Sequence, residues 1–169
     1  KSLHDYVTKT GEGNPKLKGM GATVVCGLFY RTRVWFAHVG DSRFYRYRDG
    51  GIEQLTHDHS PVGDLFRSGR VNEREMRTHP RKNILSQAIG GGCEKVRPQV
   101  DSSDLQHGDW FLICSDGLVD GMWNKNIATC FEEANENSQT SAEVAERILE
   151  WACGESGRDD TTLFVVKVE

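Results

Sequence analysis

The stretch that decides the fold reads WFLICSDG and spans residues 110–117. A short, continuous apolar run that ends at turn residues predicts a strand buried on both faces. Asp116 would then lie where this strand leaves the core, and a carboxylate there needs a pairing group, hydrogen bonds or a metal ion. Gly117 allows the chain to turn sharply immediately afterwards.

Aspartates stand at the ends of two other apolar runs. Asp41 follows the run at 34–39, and the Asp159-Asp160 pair precedes the run at 161–166. We therefore expect the three carboxylates to converge. Aspartate is a hard oxygen ligand suited to Mg²⁺, Mn²⁺ or Ca²⁺, and two such ions can activate a shared water for attack on phosphorus. Aspartates at strand ends also form turns, so spacing alone leaves that simpler interpretation open.

Composition restricts the class of protein. The 169 residues are 37% hydrophobic and 27% charged, which suits one globular domain with its own core. A net charge of −4 gives no electrostatic signature of nucleic-acid binding, and no apolar run is long enough for a membrane span. Five widely spaced cysteines and the lack of a secretory signal favour reduced thiols and a cytoplasmic location.

The first half of the chain has the pattern of short strands. Runs at 24–30, 34–39, 44–48 and 52–55 are joined by short turns and predict an antiparallel sheet, with a hairpin at Asp49-Gly50. Residues 96–100 predict a further strand, and residues 101–109 a polar loop.

Helix signals follow the meander. Residues 61–80 are rich in charge and short of core residues, so we interpret them as a surface flap whose first helix begins at Ser60-Pro61 and ends at Gly69. Further caps are predicted at Asn72, Asn124 and Thr140. The Thr140 box opens the clearest helix, whose apolar face would carry Val144, Ala145, Ile148, Leu149 and Ala152.

Other catalytic chemistries are less favoured. Ser115 lacks the glycine elbow of a serine hydrolase, because Cys114 precedes it. The histidines are not at zinc-ligand spacing, so we interpret them as loop or core residues: His38, His57, His59 and His79.

An ordered set of short motifs changes this balance. The motifs are GMGAT (19–23), AHVGDSR (37–43), LTHDHS (55–60), HPRKN (79–83), CSDGL (114–118) and RDDTT (158–162). Each is weak alone, but together they resemble the PP2C-type (PPM) metal-dependent protein phosphatases, most closely bacterial members. The resemblance covers residues 19–166.

The resemblance implies an α+β fold, an α-β-β-α sandwich of two antiparallel sheets flanked by helices and incomplete at its N-terminus. It implies hydrolysis of phosphoserine and phosphothreonine by a hydroxide that bridges two Mn²⁺ or Mg²⁺ ions, with a third metal beside them. The partners would be phosphorylated proteins, those that a serine/threonine kinase modifies.

Site residues follow from the same resemblance. Asp116 and Asp159 match ligands of the metal pair, and Asp41 matches a ligand of the third metal. The neighbours of these ligands are secondary candidates: Asp160, Gly117 and Ser42. Within the flap at about 61–80, the resemblance implies that Gly69 and Arg70 lie beside the substrate.

The family's opening motifs are not found in this sequence. They contain a phosphate-binding arginine, expected upstream of Lys1, and an aspartate that bridges both metals. We therefore expect residues 1–169 to form the C-terminal majority of one PP2C-like domain and to be inactive alone. Beyond the metal site, the sequence identifies no catalytic residue.

Two alternatives remain open at this point. The chain could be a catalytically incompetent PP2C-like regulatory or binding module, or a metal-binding structural domain of unrelated ancestry. The retention of Asp116 and Asp159 favours a phosphatase, because a module without catalysis would have no chemical need for either carboxylate.

Overall fold

The computed structural model describes residues 2–155 and 159–169. Arg158 of the last motif lies outside the described residues. The chain divides into two compact units. The first comprises Lys1–Gly27, Phe36–Ser42 and His57–Asp101, and the second comprises Leu28–Trp35, Arg43–Thr56 and Ser102–Glu169. No helix in the described part of the chain has the length and apolar content needed to cross a bilayer.

Helices and strands together give the predicted α+β class. The helices are α1 (Leu3–Glu12), α2 (Pro61–Arg67), α3 (Glu73–Thr78), α4 (Asp116–Gly121), α5 (Asn124–Glu136) and α6 (Ser141–Glu155), with a 3₁₀ turn at Pro15–Leu17. The strands are β1 (Gly21–Ala22), β2 (Val24–Tyr30), β3 (Arg33–Val39), β4 (Arg43–Arg48), β5 (Gly51–Gln54), β6 (Ile89–Gly90), β7 (Gln99–Asp104), β8 (Trp110–Cys114) and β9 (Leu163–Lys167).

The second unit contains a four-stranded sheet in the order β5-β4-β8-β9. All three pairings in this sheet are antiparallel. Strand β8 is internal, and its residues Trp110, Phe111 and Leu112 have no exposed surface. The prediction of a central buried strand at 110–114 is therefore confirmed.

Alternation along these strands directs one set of side chains toward helices α4, α5 and α6. Tyr47 and Trp110 contact the ring of Phe131 on α5, with ring centroids 5.5 and 5.6 Å apart. The predicted face of α6 is buried at Val144, Ile148 and Ala152. Of the other two expected members, Ala145 is half-buried and Leu149 is 38% exposed, because Leu149 lies at the margin of the apolar stripe.

The predicted hairpin is confirmed. Asp49 and Gly50 both have positive φ, 50° and 80°, as a type I′ turn requires. This turn matches the twist of the flanking strands, so β4 and β5 pair from Arg48 and Gly51 outward.

The predicted single meander is wrong, because its four strands divide between two sheets. Strands β4 and β5 belong to the four-stranded sheet, whereas β2 and β3 form a three-stranded sheet in the order β2-β3-β7. Gly40, with φ 112°, lies in the turn that separates β3 from β4. A backbone conformation open mainly to glycine redirects the chain there.

Polar strand β7 is displaced from the predicted range. It covers 99–104 rather than 96–100, so part of the expected loop at 101–109 is a strand. Its polar side chains have partners on other strands: Ser103 accepts from Arg46 at 2.7 Å and Asp104 from Arg33 at 2.9 Å. These pairings replace the apolar pattern that strand prediction depends on.

Two of the aspartate-flanked strands are less buried than predicted. Strand β3 alternates, with Val34 and Phe36 buried and Trp35 exposed. Strand β9 is at the edge of its sheet, and Phe164 is 65% exposed. An edge strand has a neighbour on one side only, so its apolar run does not guarantee burial.

The first unit contains α1, the two-residue pairing of β1 with β6, and helices α2 and α3. Helix α1 begins with a capping box formed by Ser2 and Asp5. The predicted caps at Ser60 and Asn72 are present, and each helix of the 61–80 segment buries at least one apolar residue, Val62 in α2 and Met76 in α3. The predicted cap at Asn124 is wrong by one residue, because the N-cap of α5 is Trp123.

Candidate metal site

Asp116 lies at the junction of β8 and α4. Strand β8 ends at Cys114, Ser115 is the N-cap, and Asp116 is the first residue of the helix. Its Oδ1 accepts a hydrogen bond from the Gly117 amide at 3.1 Å, and the residue is exposed. The expected cost of burying this carboxylate therefore does not arise, and its oxygens remain accessible to a ligand.

Asp159 and Asp160 lie in the segment before β9, the strand that pairs with β8, and Thr161 and Thr162 separate them from it. Both residues are exposed, and Asp159 Oδ1 accepts from the Asp160 amide at 2.8 Å. Since β8 and β9 are antiparallel, the end of the first strand lies beside the beginning of the second, with Cys114 opposite Leu163. The topology thus places Asp116 and Asp159 at the same end of the sheet.

Ser115 holds these two chain segments together. Its amide donates to the Thr162 carbonyl at 3.0 Å, and its hydroxyl oxygen accepts from the Thr162 amide at 3.0 Å. The hydroxyl proton has the Asp160 carbonyl as an acceptor at 3.3 Å. The side chain that would ordinarily cap α4 therefore joins the two strand ends instead.

Gly117 allows the same segments to approach closely. A Cβ atom at this position would lie 2.7 Å from the Asp160 carbonyl oxygen and 3.0 Å from Thr161 Oγ1. Real Cβ atoms do not approach backbone oxygen so closely, so glycine is needed for the contact rather than for its φ angle. Because Gly117 contacts the Asp160 carbonyl, Asp116 and Asp160 lie on adjacent backbone segments.

The side chains of Asp116 and Asp159 are of a type that binds divalent metal ions. Asp116 and Asp159 supply exposed carboxylate oxygens from adjacent strand ends, the ligand type that Mn²⁺ and Mg²⁺ prefer. Among residues 2–155 and 159–169, no three His, Cys, Asp or Glu side chains are grouped closely enough to hold a metal. Water or further groups would have to complete the coordination.

Asp41 and Ser42 belong to the first unit and are described within it. Asp41 is half-buried and follows Gly40 in the turn after β3. The hydroxyls of Ser42 and Thr23 are 2.8 Å apart. Within the second unit, the structure brings the Asp116-Gly117 segment beside the Asp159-Asp160 segment. Asp41 and Ser42 lie in the first unit.

The two flap candidates close helix α2. Gly69 has φ 70°, its amide donates to the Phe66 carbonyl, and the Arg70 amide donates to the Leu65 carbonyl, both at 2.9 Å. This is a Schellman ending with glycine at its left-handed position. The Arg70 residue is exposed.

Sequence reasoning missed two residues that shape these loops. Ser115 was considered only as a nucleophile, although a serine between a buried strand and an aspartate can also join strand ends. His59 lies in a loop, in agreement with its interpretation as a loop or core residue, but the sequence does not indicate that its Nδ1 accepts from the Gly40 amide, at 3.2 Å. The motif LTHDHS was the signal available for it.

This chain is similar to known bacterial phosphatases. The chain is 36% identical over 157 residues to the serine/threonine protein phosphatase PstP of Mycobacterium tuberculosis, covering 93% of this chain and 29% of that protein. It is 36% identical over 156 residues to the serine/threonine phosphatase stp of Listeria monocytogenes, covering 92% of this chain and 60% of that protein. The chain thus spans less than two thirds of either relative.

A solved structure gives the same fold. The catalytic domain of serine threonine protein phosphatase PstP in complex with two manganese ions has a TM-score of 0.81 and 30% identity, covering 98% of this chain and 67% of that one. The profile of the protein phosphatase 2C family matches residues 3–161. The match spans nearly the whole chain, so this protein belongs to the protein phosphatase 2C family.

Proposed function

We propose that this chain forms part of a metal-dependent phosphatase that hydrolyses phosphoserine and phosphothreonine in proteins. The observation that carries the proposal is the junction of β8 with β9, where Ser115 and Gly117 hold Asp116 beside the Asp159-Asp160 segment. Family membership adds to it, because the matched relatives are named phosphatases. The alternative of a catalytically incompetent module has no comparable support.

The metals in this proposal are Mn²⁺ or Mg²⁺. Asp116 and Asp159 would be ligands of a pair, and Asp41 a ligand of a third ion. Support comes from the two manganese ions of the PstP structure and from the oxygen chemistry of the three side chains. When bound, such ions supply an activated water and neutralise charge on the phosphoryl group.

The contribution of the chain itself is positional. In the proposal, the exposed carboxylates of Asp116 and Asp159 bind cations from two neighbouring chain segments, those at the end of β8 and before β9. Ser115 and Gly117 fix the backbone from which both carboxylates extend. The conformational entropy of this backbone is therefore lost on folding rather than on metal binding.

The substrates in this proposal are phosphorylated proteins modified by a serine/threonine kinase in the cytoplasm. Segment 61–80, with Gly69 and Arg70 at its first helix end, would contact the polypeptide around the phosphate. Its exposed arginines Arg70 and Arg74 suit anionic substrates, since guanidinium pairs with phosphate or carboxylate. The cysteines form no disulfide within residues 2–155 and 159–169, which is consistent with a reducing compartment.

The test is an assay of the protein expressed from its intact gene. Phosphate release from a phosphothreonine peptide is measured as Mn²⁺ is added, and Mn²⁺ binding is measured separately by calorimetry. We expect Asp116→Asn and Asp159→Asn each to lower turnover at least about 100-fold and to weaken Mn²⁺ binding, because each deletes a charged metal ligand. Glu150→Gln, which removes an exposed charge on α6, is the matched control. Unchanged turnover in either aspartate variant would contradict the proposal.

A further inference from the structure

His59 hydrogen-bonds both backbone polar groups of Gly40, the residue before Asp41. One bond is made by the His59 side chain and the other by its backbone. The Gly40 amide donates to His59 Nδ1 at 3.2 Å. The His59 amide donates to the Gly40 carbonyl oxygen at 2.7 Å. That carbonyl belongs to the peptide unit that continues into Asp41, so the second hydrogen bond sets the plane from which Asp41 extends.

At position 40, neither the backbone conformation nor the surrounding space accommodates a residue other than glycine. Its φ is 112°, and a Cβ atom would lie 2.3 Å from Thr23 Cγ2 and 2.6 Å from Thr23 Cβ. On the far side of Asp41, the Ser42 hydroxyl is paired with the Thr23 hydroxyl at 2.8 Å. Asp41 is therefore flanked by two anchored residues, one held by His59 and the other by Thr23.

His59 is itself held from two directions. Its carbonyl accepts from the Ser86 amide at 2.8 Å. Its ring packs against the His38 ring, with centroids 4.8 Å apart and planes inclined at 39°. His38 is only 1% exposed. The His38 ring therefore acts as a packing surface that fixes the orientation of the His59 imidazole.

The hydrogen-bond direction defines the tautomer of His59. Because Nδ1 accepts from an amide, it carries no proton, and in the neutral ring the proton lies on Nε2. Burial lowers the pKa of His59 below its ordinary value, with the Asp58 charge opposing this shift. The neutral form that the geometry requires is thus the form that the surroundings favour.

We propose that His59 is the positioning residue for Asp41, holding the Gly40 peptide so that the backbone direction at Asp41 is fixed for binding a divalent cation. The inference rests on the proposed role of Asp41 as a metal ligand. It assigns to the LTHDHS motif a specific task, the acceptance of one amide proton at Nδ1. The geometry predicts that only an acceptor at this point in the side chain can perform it.

Substitutions of His59 can separate the effect of hydrogen-bond acceptance from the effect of side-chain volume. In His59→Asn the amide oxygen occupies the position of Nδ1, whereas in His59→Gln it reaches the position of Nε2. His59→Leu removes the acceptor while retaining apolar volume. His57→Leu is the matched control, because His57 is exposed and only its backbone amide, which donates to Gln99 Oε1 at 2.7 Å, makes a described contact.

The first measurement requires no activity. In the ¹⁵N-labelled protein, a scalar coupling between the Gly40 amide nitrogen and His59 Nδ1 should be observed through the hydrogen bond. Exchange of the Gly40 amide with solvent should accelerate about fivefold or more in His59→Gln and His59→Leu, the equivalent of one net hydrogen bond. It should remain near the wild-type rate in His59→Asn and His57→Leu. Equal exchange in the wild type and His59→Gln would overturn the inference.

The second measurement titrates Mn²⁺ alone into the protein expressed from its intact gene. Paramagnetic broadening of amides 40–42 should require about fivefold more Mn²⁺ in His59→Gln than in the wild type or His59→Asn. Broadening at 116–117 and 159–160 should stay unchanged. If the wild type shows no broadening at any of these positions, the proposed function fails. If broadening at 40–42 is normal and identical in wild type and His59→Gln, only the role of His59 fails. If His59→Leu does not fold, the Asn and Gln variants still decide.

Discussion

The hydroxyl oxygen of Ser115 accepts a hydrogen bond from the backbone amide of Thr162 at 3.0 Å, one residue beyond the Cys114–Leu163 pair that ends the β8–β9 ladder. The Ser115 amide returns a hydrogen bond to the Thr162 carbonyl at 3.0 Å. The two strands therefore separate only after this point. The carboxylates proposed as metal ligands extend from the chain immediately beyond it.

Replacing Ser115 with alanine should weaken both the fold and the metal site. We expect the free energy of unfolding to fall by about 1 kcal/mol, the net value of one hydrogen bond. Mn²⁺ affinity should fall several-fold, because Asp159 would no longer be held at a fixed distance from Asp116. Urea unfolding and calorimetric titration measure the two effects.

The matched control for this variant is Thr129→Ala on α5. Thr129 is exposed, and its hydroxyl bonds only within its own helix, to the Lys125 carbonyl at 3.1 Å. It should leave Mn²⁺ affinity unchanged. An affinity loss of the same size in both variants would mean that Ser115 has no special role.

Adding one methyl group at Gly117 should separate the same two segments. The new Cβ would lie 2.7 Å from the Asp160 carbonyl oxygen, so the 159–161 backbone must shift. We expect Gly117→Ala to lower the free energy of unfolding by about 1–3 kcal/mol and to reduce Mn²⁺ affinity. In contrast, Gly154→Ala on α6 meets nothing within 4 Å and should stabilise the helix by about 0.5–1 kcal/mol. Equal stability changes in the two variants would contradict this account of Gly117.

Local chemistry explains which parts of the fold could be predicted from sequence. The Asp49-Gly50 turn and the caps at Ser60, Asn72 and Thr140 depend on residues that are close in the chain, and all are present. Strand β7 was misplaced because its strand character depends on Arg33 and Arg46, which are distant in sequence. Division of the meander into two sheets likewise depends on non-local pairing.

The same distinction between local and non-local contacts applies to the candidate site. Asp116 and Asp159 are candidates from the sequence alone, because a carboxylate next to an apolar run is visible there. The short helix α4 is not predicted, since the six residues DGLVDG carry little periodicity. The role of Ser115 was also hidden, because its hydroxyl acts on Thr162, 47 positions away, and that proximity follows from strand register.

Acidification should destabilise the protein through His38. Burial, together with the nearby His59, lowers its pKa from the ordinary value of 6.5 to about 4, while Asp58 opposes the shift and His57 adds slightly to it. Between these two values the unfolded state binds the proton and the folded state does not, so stability falls as the pH decreases from 6.5 toward 4. The loss should be on the order of 3 kcal/mol.

His38→Phe provides the comparison, since it retains a buried ring without a titrating group. Urea unfolding at pH 7 and pH 5 should show a smaller loss in this variant than in the wild type. The difference between the two proteins isolates His38 from other groups that titrate in this range. Identical losses would mean that His38 does not carry the pH dependence.

Asp109 should make a second contribution to the pH dependence of stability, at a lower pH than His38. Its residue is 1% exposed, and its carboxylate accepts from Arg48 Nε at 2.7 Å, from Arg48 Nη2 at 2.6 Å and from the Gln106 amide at 2.8 Å. Burial alone would raise the pKa of Asp109, but the hydrogen bonds from Arg48 and Gln106 outweigh it and lower the pKa. The stabilisation is therefore present above the ordinary pKa of 3.8 and is lost as the pH falls through the lowered value.

Asp109→Asn tests this pair at neutral pH. Removing the charge leaves Arg48, whose side chain is 21% exposed, without its ion-pair partner, although Nη2 still donates to the Asp104 carbonyl at 2.8 Å. We expect a loss of about 2–3 kcal/mol, below the 3–5 kcal/mol of a fully buried pair because water reaches Arg48. Asp104→Asn is the matched control: its ion pair with Arg33 has side chains 71% and 48% exposed, so its loss should be about 0.5 kcal/mol or less. A double-mutant cycle with Arg48→Gln isolates the coupling. Equal losses for Asp109→Asn and Asp104→Asn would show that burial does not strengthen the Arg48–Asp109 pair.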